Sequence, residues 1–169
     1  QTKALYVYDP ADTSHWACYC GGNGDILPAA VQHVCTYTNK WVSLNDYLAE
    51  QAPATGSTFT FKTNNSYFYL TEDLDIDYYL VFGESTNATT KGYKYYLDLN
   101  GYTFATNGRS MIAKGGGSVL NIMDSSAAGT GVINGSTAGN NPGGGTLVAK
   151  EYSTVNLYGG TLRFVKRTG

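Results

Sequence analysis

The chain is short of charge, of long apolar runs and, outside one segment, of cysteine and histidine. Only 14% of its 169 residues are charged, and 11 basic against 13 acidic residues leave a net charge of -2. So balanced a chain has no basic footprint for nucleic acid and no polybasic or amphipathic patch for a membrane surface. No stretch approaches the roughly 20 apolar residues that span a bilayer. Lys and Glu are few beside 21 Gly, 15 Tyr and many Asn, Ser and Thr. That balance fits turn-rich β structure in an extracellular protein and speaks against a cytosolic helical enzyme. The sequence opens on Gln1 with no start Met and no signal peptide, the expected mature end after signal cleavage. With 42% hydrophobic residues, one principal core with a small N-terminal appendage is expected.

The stretch from Met111 to Gly160 says nearly the same thing twice. Met111-Ile112-Ala113-Lys114 and Leu120-Asn121-Ile122 return, at spacings equal to within one residue, as Leu147-Val148-Ala149-Lys150 and Val155-Asn156-Leu157. A weaker third copy lies upstream as Leu97-Asp98-Leu99-Asn100-Gly101. Short alternating strands repeated every few tens of residues and punctuated by Gly and Asn predict an all-β fold, a right-handed parallel β-helix or solenoid. Residues 55–169 are assigned to it and residues 1–54 to an N-terminal cap.

Both histidines and all three cysteines fall in the cap: His15, Cys18, Cys20, His33 and Cys35. Zinc takes four tetrahedral S or N donors, and H-x-x-C-x-C-G-G followed by H-x-C supplies two half-sites on expected tight turns. The preferred set is Cys18, Cys20, His33 and Cys35, with His15 able to replace a cysteine. No carboxylate neighbour offers a base, so the expected role of zinc is structural, ordering a segment too small to order itself. The alternative is a disulfide of Cys35 with Cys18 or Cys20, which leaves one cysteine over.

Ser43 is placed as the N-cap of a short helix with Asp46 three residues on, and Leu44, Tyr47 and Leu48 form its apolar face. Coming just before the first coil, the helix is positioned to cover an open solenoid end. Strands are expected at Lys3–Asp9, Thr58–Lys62, Tyr67–Leu70, Asp73–Phe82 and Tyr93–Leu99. In Asp73–Phe82, Leu74, Ile76, Tyr78, Leu80 and Phe82 share one face, and Asp73, Asp75, Asp77 and Tyr79 the other. Gly115-Gly116-Gly117 and Gly143-Gly144-Gly145 mark corners. Ala127–Asn141 is read as a polar, Gly-rich insertion leaving the solenoid as a surface loop around a short strand at Val132-Ile133. Asn64, Asn87 and Asn134 begin glycosylation-acceptor patterns, which arise freely in so polar a chain.

Taken together, Cys20-Gly21-Gly22 in its Cys/His cluster, the Trp41–Leu48 segment and the Leu97-Asp98-Leu99-Asn100-Gly101 coil resemble the N-terminal part of large secreted bacterial cell-surface proteins. In those proteins a right-handed parallel β-helix of the pectate-lyase-like type follows a short Cys/His-containing segment. The resemblance implies a secreted or cell-surface adhesin, a structural stalk or filament, or, in some branches, a polysaccharide-cleaving enzyme. About 115 residues give only about three to five coils, short for the enzymes.

A Ser-His-Asp or Cys-His constellation has no histidine left once zinc is placed. Asp73, Asp75, Asp77 and Asp98, with Arg109 or Arg163, are the remaining candidates for lyase or hydrolase work, though alternating Asp on a strand more often keeps a β surface solvated. No enzymatic activity is expected. Calcium at Asp75 and Asp77 lacks the loop that ion needs. Tyr67, Tyr69, Tyr79 and Tyr96 fall on outward faces by parity, and rings beside carboxylates or amides are possible contacts for extracellular glycans. Past Val165 the chain stops within four residues with no cap, so this end is expected to carry further coils or to stack end to end on another copy as an open filament.

Overall fold

Where apolar and polar residues alternate, this chain runs as strand, and where Asn, Asp and Gly cluster it turns a corner. The computed structural model describes residues 6–8, 15–18, 25–28, 41–63, 66–84, 92–136 and 146–165. Near the N-terminus β1 (Tyr6–Tyr8), β2 (His15–Cys18) and β3 (Asp25–Pro28) form a three-stranded antiparallel sheet in that order. The strand expected over Lys3–Asp9 is thus present as β1.

β4 (Trp41–Ser43) leads into α1 (Leu44–Gln51). The Ser43 Oγ accepts from the Asp46 amide at 3.2 Å, the N-cap bond that the sequence called for. Leu44 and Leu48 bury 0% and 3% exposed, and the Tyr47 ring packs on Phe59, Phe61 and Phe68. Asn45, which the sequence did not single out, ties the helix to the following turn, accepting from the Thr71 amide and donating to the Glu72 carbonyl. The helix ends at Ala52, left-handed at φ 42, whose N–H returns to the Leu48 carbonyl.

Twelve further strands follow in four triplets: β5 (Thr58–Phe61), β6 (Ser66–Tyr69) and β7 (Leu74–Asp75); β8 (Tyr79–Phe82), β9 (Lys94–Asp98) and β10 (Thr103–Ala105); β11 (Met111–Lys114), β12 (Val119–Met123) and β13 (Val132–Ser136); β14 (Leu147–Lys150), β15 (Thr154–Leu157) and β16 (Thr161–Val165). Each strand of one triplet pairs in parallel with its counterpart in the next, and β4 pairs in parallel with β6. The result is three parallel sheets, ordered β5-β8-β11-β14, β4-β6-β9-β12-β15 and β7-β10-β13-β16. β4 and α1 therefore share the sheet and core of the residues after 54, although the sequence reading put them in a separate cap.

The internal repeat is the pairing register itself. Met111 to Lys114 lie opposite Leu147 to Lys150, and Leu120, Asn121 and Ile122 opposite Val155, Asn156 and Leu157. The third copy is a correction: Tyr95, Tyr96 and Leu97, not Leu97, Asp98 and Leu99, face Leu120, Asn121 and Ile122. Side chains alternate with period two, so a shift of two residues leaves every side chain on the same face and escapes the pattern. A second correction concerns Ala127–Asn141. β13 lies there as a full member of the third sheet, paired with β10 and β16, and Ile133 is 0% exposed.

The residues facing inward make one core, from Leu44 and Phe61 through Leu80, Phe82, Tyr95, Leu97, Phe104 and Met111 to Leu120, Ile122 and Ile133. Each such fully buried large side chain contributes about 1.5–3 kcal/mol. The run Asp73–Phe82 alternates as expected, with Ile76, Leu80 and Phe82 wholly inside, but bends between β7 and β8 so that it serves two sheets. Tyr95, 0% exposed, satisfies its hydroxyl by donating to the Phe61 carbonyl at 3.0 Å, while burial raises its pKa.

Corners are held by carboxylates. Asp98, 0% exposed, accepts from the amides of Asn100 and Ser125 and from the Ser125 hydroxyl. One triplet later, Asp124 accepts from the amides of Gly101, Ser126 and Gly131. Burial alone would raise the Asp124 carboxyl, but these amides and the Ser126 hydroxyl outweigh it and hold it below the usual aspartate value. Gly101 has φ 86, and a Cβ there would press on Ser126.

Candidate functional site

Of the five candidate zinc ligands, His15 and Cys18 stand at the two ends of β2, in a strand rather than on a turn. His15 is opposite Pro28, and Cys18 lies between Tyr6 and Asp25. Cys20, His33 and Cys35 lie outside the described residues. Among the described residues no group of three or more His, Cys, Asp or Glu is placed to hold a metal ion.

The four candidate glycan tyrosines fall into two kinds. Tyr67 and Tyr96, opposite one another on β6 and β9, belong to a cluster outside the main core with Met123, Trp41 and Tyr158. Their rings stack at 4.7 Å, Trp41 meets Tyr67 edge-on at 5.4 Å, and the two tyrosines are 5% and 7% exposed. Rings so covered present no open platform to a sugar. Tyr69 and Tyr79 are half-buried, and the Arg109 guanidinium lies 5.4 Å from the Tyr79 ring centre.

The outward aspartates hold neighbouring segments of chain. Asp73 accepts from the Thr103 amide at 2.8 Å, Asp75 from the Asn107 side chain, and Asp77 from Arg109 Nε at 3.2 Å. Residues 73–77 are thereby stitched to residues 103–109, about one triplet further on. Asp98 is buried under its three donors, and Arg163 stands exposed on β16.

A groove that sequence reasoning missed lies on the outer side of the first sheet. It has a volume of about 420 Å³ and is lined by Thr58, Thr60, Lys62, Val81, Gly83, Glu84 and Lys114. β5, which carries the two threonines, is the edge strand of that sheet. Phe61, Phe82 and Ala113 form one inward column, so Lys62, Gly83 and Lys114, each the next residue, form an outward one. Strands lie about 4.8 Å apart, so the two lysines stand on backbones about 9.6 Å apart with a residue lacking a side chain between them. The fold demands that glycine: Gly83 has φ 108, and a Cβ on it would run into the Lys114 carbonyl oxygen. Nothing in the linear sequence brings these three positions together.

The two ends of the core differ. At the first triplet α1 lies over Phe59, Phe61 and Phe68 and exposes Asp46, Ala49, Glu50 and Gln51. At the last triplet Leu157 and Leu162 are 42% and 36% exposed, whereas Ile122 and Ile133, their neighbours one triplet inward, are 0% exposed. Among the described residues no helix is long and apolar enough to cross a membrane. No family model, curated protein or solved structure matches the chain.

Proposed function

We propose that the chain is a right-handed parallel β-helix serving as a non-catalytic structural or adhesive module of a secreted bacterial surface protein or filament. The parallel pairing of every third strand supports the helix, and crossovers of this kind are nearly always right-handed. The observation that carries the functional reading is the inequality of the ends, one covered by a polar-faced helix and one with Leu157 and Leu162 uncovered. Uncovered strand edges beside apolar side chains add further strands, and here they take up more coils of the same chain or another copy. In the N-terminal segment four of His15, Cys18, Cys20, His33 and Cys35 hold one structural zinc. The native mass tests assembly. A chain much heavier than 18.1 kDa, or fibres built from 18.1 kDa subunits, supports the reading. A monomer of that mass that stays dispersed at high concentration overturns it.

Glycan binding is the second reading, and the groove beside β5 favours it. The lyase or hydrolase reading is weakest, because its aspartates are engaged in holding neighbouring strands and turns.

A further inference from the structure

The groove between Lys62 and Lys114 gathers two ammonium groups, two hydroxyls and one carboxylate on the outer face of one sheet. Lys62 is exposed and has no acidic partner among the described residues, and it stands in one outward column with Lys114 across a glycine. Lys114 reaches Glu151 at 3.5 Å, but both side chains are substantially exposed and such a pair is weak. Glu84 is the one acidic residue lining the groove, so its two ammonium groups outnumber its carboxylates. Thr58 and Thr60 add two hydroxyls that both donate and accept, and Val81, 6% exposed, gives an apolar patch of floor. The volume is within the range of small-ligand sites.

We infer that this groove binds a sugar carrying one anionic group, a carboxylate or a sulfate. The anionic group lies between the Lys62 and Lys114 ammonium groups, and the ring hydroxyls exchange hydrogen bonds with Thr58, Thr60 and Glu84. Lysine suits this task, since a compact ammonium on a long stem reaches either anion from a flat strand face. The inference gives the glycan-binding reading a place and a substrate class, and rests on that reading alone; it is independent of assembly at the last triplet.

The test is calorimetric titration of the full chain with a digalacturonate, a sulfated disaccharide and neutral cellobiose. At least one anionic sugar is expected to bind and cellobiose not to, and which anion binds identifies the source of the charge. Lys62→Gln should weaken binding about tenfold, the loss of one charge-assisted contact. Glu151→Gln, which frees Lys114 from its partner, should tighten it about threefold, and a loss of folding does not produce a gain in affinity. Anion binding that neither substitution changes overturns the groove while leaving glycan binding elsewhere on the chain. Cellobiose binding as tightly as the acidic sugars overturns the anionic class alone. No binding of any of the three at millimolar concentration overturns both the groove and the glycan reading.

Discussion

The rings of Tyr67 and Tyr96 lie 4.7 Å apart with their planes 4° from parallel. That distance is the spacing of neighbouring strands, and the two residues are direct partners in the β6–β9 register. In-register parallel strands set like above like, so a flat ring on one strand stacks on a flat ring of the next. Phe61 and Phe82 repeat the relationship inside the core at 4.9 Å.

The stack is measurable as a coupling. Tyr67→Ala and Tyr96→Ala should each destabilise by about 3 kcal/mol, and the double variant by about 1 kcal/mol less than their sum. Urea denaturation of the four proteins gives the cycle, and strict additivity would show that the rings do not interact.

Asp124 predicts how the fold responds to acid. Its carboxyl is held below the ordinary aspartate value in the folded chain, so its contribution is fully present above that value and is lost as pH falls through the lower folded one. Asp124→Asn should cost about 1–3 kcal/mol near neutral pH and should flatten the loss of stability below about pH 4. Melting temperatures of both proteins against pH check this; parallel curves would remove Asp124 from the account.

Two glycines of positive φ separate strain from collision. Gly129, φ 60, has nothing within 4 Å of a built Cβ, and alanine there should cost about 1 kcal/mol for the left-handed backbone alone. At Gly83 the Cβ also meets the Lys114 carbonyl, so Gly83→Ala should cost at least twice as much. Equal losses in denaturant would contradict the close approach of the two strands.

Metal content tests the cysteine and histidine segment directly. About one zinc per chain is expected by elemental analysis, and a chelator should lower the melting temperature. Metal-free protein with a Cys18–Cys35 or Cys20–Cys35 bond in the mass spectrum decides for the disulfide.

Assembly and folding can be parted at Leu157. Because that side chain is already 42% exposed, Leu157→Asp should change stability by less than about 1 kcal/mol while dispersing any oligomer in sedimentation. An assembly that survives it is not built on the last triplet.

What the sequence made legible follows from period and likeness. The pairing of β11 with β14 and of β12 with β15 could be read because parallel strands in register align similar residues, and the cap at Ser43 because its bond is local. β10 was hidden, and β13 was legible only as a short strand at Val132-Ile133 inside a loop, because each carries one inward apolar residue between its ends, Phe104 and Ile133, too few to show an alternation. Position 135 must be Gly because the Thr146 side chain fills the space beside it, and that Gly made the second half of β13 read as loop. The groove was hidden for another reason: Lys62, Gly83 and Lys114 become neighbours only through stacking. Burial of Tyr67 and Tyr96 was equally non-local, since parity places a ring outside the main core but does not say what lies on it.

The exposure of Leu157 and Leu162 beside wholly buried Ile122 and Ile133 also sets a direction for breathing motions. Each triplet pairs only with its neighbours, so opening an inner one breaks two ladders and opening the last breaks one. Amide hydrogens of β14–β16 should therefore exchange with solvent through small local openings, and those of β8 and β9 only through opening of much of the stack. Opening of the described residues is expected to start at β14–β16, the triplet that no helix covers.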